Sequence, residues 1–206
     1  MSDKPIIFSG PMVRAILDGR KTMTRRVMKL PTKGEYVRKD MGGWAATTFG
    51  NDGTFRIAKN GTHIPVPEHV AICNQTTGTC IATHHQVGDV LWVREAWAKE
   101  GECDLQYKAG PHIGDDALGV AWKSPIFMPR WASRLTLRVT GVKVERLRDI
   151  SEDDAMAEGC VHHHDPDGDG QNVIEQFSHV WDNIHGPGSW EANPWVAAYT
   201  FERVTT

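Results

Sequence analysis

Hydrophobic and polar positions alternate with a period of two over four stretches and recur at helical spacing over three others. Ile6-Ile7-Phe8, within Pro5–Ser9, predicts a short first strand, and Gly10-Pro11 breaks it. Met12, Val13, Ile16 and Leu17 then recur as one face of an amphipathic helix, with Gly19 where a C-cap glycine belongs. Beyond it, Lys21, Met23 and Arg25 alternate with Thr22, Thr24 and Arg26, so in an extended segment each set points to one side. Val90–Glu95 predicts a strong strand. From Ala132 to Leu147, the positions Leu135, Leu137 and Val139 alternate with Thr136, Arg138 and Thr140, and Val142 and Val144 continue after Gly141. That is either two strands joined by a bend or one long bent strand. Ser151 is an N-cap candidate with Asp154 three residues on and acids in the first turn, which predicts a helix closed by Gly159. Asn172–Ile184 predicts a third helix with Val173, Phe177, Val180, Trp181 and Ile184 on one face. Trp195–Val204 predicts a last strand.

About five or six strands and three short helices, with no βαβ periodicity and no internal repeat, predict an α+β fold. A small mixed β-barrel with short flanking helices fits this better than a doubly wound sheet. Between these elements the chain is rich in Gly, Asn, Thr and Asp. Insertions into a single domain of residues 1–206 are expected at about 32–86, 98–130 and 160–171. Within the first, Asn60-Gly61 between two β-prone runs predicts a hairpin. Within the second, Gly119–Lys123 is a possible strand.

Length and charge narrow the class. The chain of 206 residues carries a net charge of −3, so it is no basic nucleic-acid coat, and anion binding must come from a local patch. No apolar leader and no run long enough to span a membrane is present, so a cytoplasmic protein with reduced thiols is expected. No disulfide is expected between Cys73 and Cys103 or between Cys80 and Cys160. Of the 8 tryptophans, Trp92, Trp97 and Trp131 are pocket candidates, and Trp181, Trp190 and Trp195 are assigned to the core of the C-terminal half.

The densest chemistry lies just after the first helix, where Arg20, Lys21, Arg25 and Arg26 stand beside the hydroxyls of Thr22 and Thr24. Cations packed this closely favour an anion to neutralise them; a solvated basic turn is the competing reading. Two clusters have metal-ligand residue types. His162-His163-His164-Asp165-x-Asp167-x-Asp169 resembles the start of a calcium loop, but Gln176 stands where the glutamate ligand belongs. Cys73 and Cys80 with His84 and His85 lack a zinc spacing. A solvated loop is expected at the first, and no metal and no cofactor is expected at either.

The order of these motifs resembles an ASCH domain, a family with a PUA-like fold. The features are a strand, a helix ending in Gly19-Arg20-Lys21-Thr22-Met23-Thr24-x-Arg26, then Gly88-Asp89-Val90-Leu91-Trp92-Val93, an alternating strand ending in Val139-Thr140-Gly141-Val142, Ile150-Ser151-Glu152-x-x-Ala155-x-x-Glu158-Gly159, and a closing aromatic strand. The chain is also similar to larger phage and prophage members in Met128–Arg134 and Ser189–Val196. Residues 32–86 and 161–171 fall outside the resemblance. The resemblance implies a pseudo-barrel that handles RNA or modified bases. It further implies an amidohydrolase acting on N4-acetylcytidine, with Thr24 as nucleophile, Lys21 as activating base and Glu158 as proton shuttle. Arg20, Arg25, Arg26 and Trp92 would hold the substrate or its phosphate. The partner is a nucleoside or nucleic acid, RNA in preference to DNA. A non-catalytic RNA or modified-base module and a ribonuclease using Lys21, Arg26 and Glu158 are the alternatives. Strict alternation would turn Lys21 away from Thr24, so a shared pocket requires an irregular backbone at Lys21–Thr22.

Overall fold

The computed structural model describes residues 3–30, 43–49, 55–57, 62–65, 69–75, 78–100, 104–110, 120–161 and 172–204. Its centre is a five-stranded mixed sheet. In sheet order these are β1 (Asp3–Ile7), β8 (Val90–Arg94), β11 (Thr136–Arg146), β12 (Trp195–Arg203) and β2 (Met23–Val27). β1 runs parallel to β8, and the other neighbours are antiparallel. The fold is therefore α+β and mostly strands, but among the described residues the sheets do not close into the barrel that the sequence suggested. β1 and β2 remain at opposite edges.

β11 is one strand, not two. Leu137, Val139 and Val144 are buried, and the register against β12 shifts between Val139 and Gly141. The extra residue is a bulge that bends the strand. A side chain at Gly141 would contact Thr200 at 3.4 Å, so a glycine lets β12 approach there. Ile6, Phe8, Leu91, Leu137, Val139, Tyr199 and Phe201 form the main core with Val13 and Ile16 of α1 (Gly10–Leu17). Pro11 opens α1, and Gly19, at φ 75°, turns the chain out of it.

The connection from β11 to β12 carries two helices, α2 (Glu152–Ala157) and α3 (Val173–His185). Ser151 caps α2 by accepting from the Asp154 amide, as its spacing predicts. Val173, Phe177 and Trp181 of α3 close a second core with Leu147, Ile150, Ala155 and Val196. Val180 and Ile184 do not join them. They stand 38% and 50% exposed, because the apolar face is wider than the surface it covers.

Residues 43–82 contribute β3 (Trp44–Phe49), β6 (His69–Asn74) and β7 (Cys80–Ala82) as a three-stranded antiparallel sheet. Its Ile72 is fully buried in the main core, with Trp44, Val70 and Ile81 packed against it. β4 (Phe55–Ile57) and β5 (His63–Pro65) pair antiparallel, as the hairpin reading requires; its Asn60-Gly61 turn lies outside the described residues. Trp97 of β9 (Trp97–Glu100), which pairs with β10 (Asp104–Tyr107), joins Met128 and Ala132 in a third small core. The strand expected at Gly119–Lys123 is reduced to one bridge between Trp97 and Lys123.

Cys73 and Cys80 face each other across β6 and β7 and are joined as a disulfide. This corrects the expectation of reduced thiols throughout and removes both sulfurs from any zinc set with His84 and His85. Among the described residues no group of three metal-binding side chains converges, and no helix is long and apolar enough to cross a membrane. The His162–Asp169 cluster lies outside the described residues.

Candidate functional site

The turn after α1 folds back beneath its own helix. The amides of Arg20 and Lys21 both donate to the Ala15 carbonyl at 2.9 and 3.0 Å, and β2 begins only at Met23. Lys21 and Thr22 thus lie outside regular strand geometry. The Thr22 amide donates to the Ala157 carbonyl at 2.8 Å, which ties the turn to the end of α2. Gly159, at φ 101°, completes the joint. A side chain there would meet the Cβ atoms of Ala15 at 3.3 Å and Lys21 at 3.4 Å. The glycine therefore serves both the left-handed turn and the close approach of the two segments.

This joint places Glu158 over Lys21. The Lys21 ammonium donates to the Glu158 carboxylate at 2.6 Å and to the Glu158 carbonyl at 2.8 Å. Their side chains are 0% and 5% exposed. Burial pushes the Lys21 ammonium below its ordinary value, against the opposing pull of Glu158, and Arg26 adds to the depression. A buried lysine held this way can exchange a proton with its partner through one short hydrogen bond.

Thr24 is buried in β2, opposite Tyr199 of β12. Thr24, Arg25, Arg26 and Glu158 line one small cavity with Met12 of α1 and the α3 residues Phe177, Trp181 and His185. Its volume is about 20 Å³, enough for one water. Burial, followed by the Arg26 charge, holds the His185 imidazole below its usual range.

Arg25 is not available to a ligand. Its guanidinium is fully buried and bonds Glu145 at 2.6 Å, Asp154 at 2.6 Å and Glu158 at 3.4 Å. Lys143 also pairs with Glu145 and Asp154. Burial opposes ionisation of Asp154, yet Lys143 and Arg25 hold its carboxyl below the usual carboxylate range. Arg25 is thus the centre of an internal ion network that locks α2 to β2 and β11, a correction to its expected phosphate-binding role. Arg20 is half-exposed, paired with Asp18 at 2.9 Å and donating to the Gly159 carbonyl. Arg26 donates to the Ile7 carbonyl at 2.7 Å and stacks on Phe8, 5.3 Å from the ring centre. The Lys21 ammonium lies 5.8 Å from the same ring.

No family model, curated protein or solved structure matches the chain.

Trp92 is removed from the site. It is buried in β8 beside Pro5 and Thr136, with the guanidinium groups of Arg94 at 4.6 Å and Arg130 at 5.9 Å from its ring, and it lines neither described cavity. Trp97 lies in the third core, and Trp131 stands 65% exposed. The sequence reading missed Glu145, Lys143 and His185. Only His185 carried a signal, following Trp181 at helical spacing. Glu95, for which no catalytic role is expected, is 1% exposed and takes both prongs of Arg134 at 2.9 Å.

Proposed function

We propose that this chain is an ASCH-type protein of the PUA-like class that hydrolyses the acyl amide of an N4-acylated cytosine nucleoside. The observation that carries the reading is that Thr24 and Glu158 line one cavity while Lys21 is hydrogen-bonded to Glu158. The ordered motifs around those residues add support.

In this reading the Thr24 hydroxyl oxygen attacks the acyl carbon, and its proton passes to a neutral Lys21 amine. Burial favours the neutral amine, which a threonine hydroxyl needs as an activating base. The Arg26 guanidinium stabilises the tetrahedral oxyanion. Lys21 passes its proton to Glu158 across their hydrogen bond, and Glu158 delivers it to the exocyclic nitrogen as the carbon–nitrogen bond breaks. Cytidine leaves, and an acyl ester remains on Thr24. Water then attacks that ester and gives one proton to the neutral Lys21 amine, which returns it to the Thr24 oxygen as the ester bond breaks, releasing the carboxylic acid and the free threonine. The cavity of about 20 Å³ admits that water but not a pyrimidine ring. Its rim of Ile184, Val180 and Met12 must swing aside for the base.

Incubation with a panel of N4-acylated cytosine nucleosides, followed by mass spectrometry, tests the reading. Release of cytidine from at least one is expected; an intact panel contradicts it. The small cavity favours a second reading, in which the accessible cations Arg20 and Arg26 bind RNA or a modified base without turnover. That reading predicts binding that weakens steeply with added salt, in the absence of any product.

A further inference from the structure

A larger cleft of about 550 Å³ opens on the other side of Arg26, between β1, β2 and the segment after β7. Ile7, Met28, Ile81 and Ala82 give it apolar walls, and Arg26, Lys29, Thr83, His84, His85 and Tyr199 give it polar ones. No carboxylate lines it among the described residues.

Two features of the cleft point to a ligand. First, the cluster at β2 carries uncompensated charge. Lys21, Arg25, Lys143 and Arg26 face three carboxylates, Glu145, Asp154 and Glu158. The first three cations pair directly with those acids, whereas the hydrogen bond of Arg26 goes to a neutral carbonyl. Arg26 therefore meets the cleft as a planar fork suited to a carboxylate or phosphate. Second, His85 is 5% exposed and lines the cleft, yet its Nδ1 has no hydrogen-bond partner. A buried polar nitrogen without a partner is costly, which marks this wall as more than packing. The segment is held in place because the backbone amides of His84 and His85 donate to the buried Tyr199 hydroxyl at 3.1 and 3.4 Å.

We propose that this cleft binds a planar aromatic ring bearing one anionic group. The anion sits on Arg26, and the ring packs between Ile7 and Met28 in a cleft whose wall His85 completes. Burial first, then His84 and Lys4, lower the His85 imidazole to about 4, so this wall of the cleft is neutral. The site shares Arg26 with the Thr24 cavity but involves no turnover, so ligand binding here is read separately from deacylation.

Titration calorimetry on the full chain tests it with naphthoate, its neutral isostere naphthamide, and inorganic phosphate. Naphthoate is expected to bind about tenfold or more tightly than either control, because each control lacks one of the two contacts. Arg26→Gln removes the preference for naphthoate over naphthamide. Ala82→Trp fills an exposed wall without touching charge and abolishes naphthoate binding. Naphthyl phosphate displacing naphthoate extends the site to phosphate monoesters, and its failure to do so assigns the site to carboxylates. Absent naphthoate binding, equal affinity for naphthamide, or an unchanged preference in Arg26→Gln overturns the proposal.

Discussion

Lys21 and Glu158, 137 positions apart in the chain, meet at 2.6 Å with almost no exposure to solvent. The contact exists because the turn after α1 tucks under its own helix while Gly159 lets the end of α2 come down upon it. Breaking a buried pair by removing one partner leaves an uncompensated charge. Glu158→Gln is accordingly expected to cost about 3–5 kcal/mol in chemical denaturation. Lys21→Met combined with Glu158→Leu should recover most of that loss, since an apolar pair of similar volume avoids the desolvation of both ions. A double variant as unstable as Glu158→Gln would contradict this account of the pair.

Gly159 makes a second demand on the same joint. An alanine there must hold a left-handed backbone and press its Cβ against Ala15 and Lys21. A loss of about 1–2 kcal/mol from the backbone alone is expected. Because the strain falls beside Lys21, activity should drop along with the melting temperature. Gly19→Ala, at φ 75° with open space around it, should show the backbone cost alone.

The elements were legible in the sequence where a period reports burial. β11, β12, α1 and the capped start of α2 follow from alternation, helical spacing and the Ser151–Asp154 pair, all of which are local. What was illegible depends on partners far along the chain. Arg25 looked like one more surface cation, but it is buried because Glu145 and Asp154, 120 and 129 positions away, arrive to neutralise it. Trp92 sits in β8, three places from β2 in the sheet, a matter of sheet order that no motif encodes. Cys73 and Cys80 become partners only through the register of β6 on β7, and sequence spacing carries no such register. Among the described residues β1 and β2 do not meet to close the expected barrel, since strand number alone does not fix sheet order.

Stability should fall in mild acid through His85. Its folded value of about 4 lies below the ordinary 6.5, so between these values the unfolded chain binds the extra proton. The contribution is complete above about 6.5 and is lost as pH falls towards 4. Below 3.8, protonation of Asp154 removes a further share, since its carboxyl is depressed in the folded chain. Melting temperature measured against pH should show the first decline in the wild type and a flatter curve in His85→Phe. An identical slope in the variant would assign the effect elsewhere.

The proposed deacylation carries its own pH signature. If Lys21 is the base, kcat/KM rises with pH as the buried ammonium loses its proton, with the limb centred below the ordinary lysine value of 10.5. Lys21→Arg should remove that limb together with most turnover, because a guanidinium does not deprotonate.

The most direct measurement is the conversion of N4-acetylcytidine to cytidine by the wild-type chain, set against Thr24→Ala and Lys21→Ala at matched folded concentration. The wild type should turn over, and each variant should lose at least about a hundredfold, the ordinary scale for a missing nucleophile or base. Full conversion by either variant, or none by the wild type, would contradict the catalytic account.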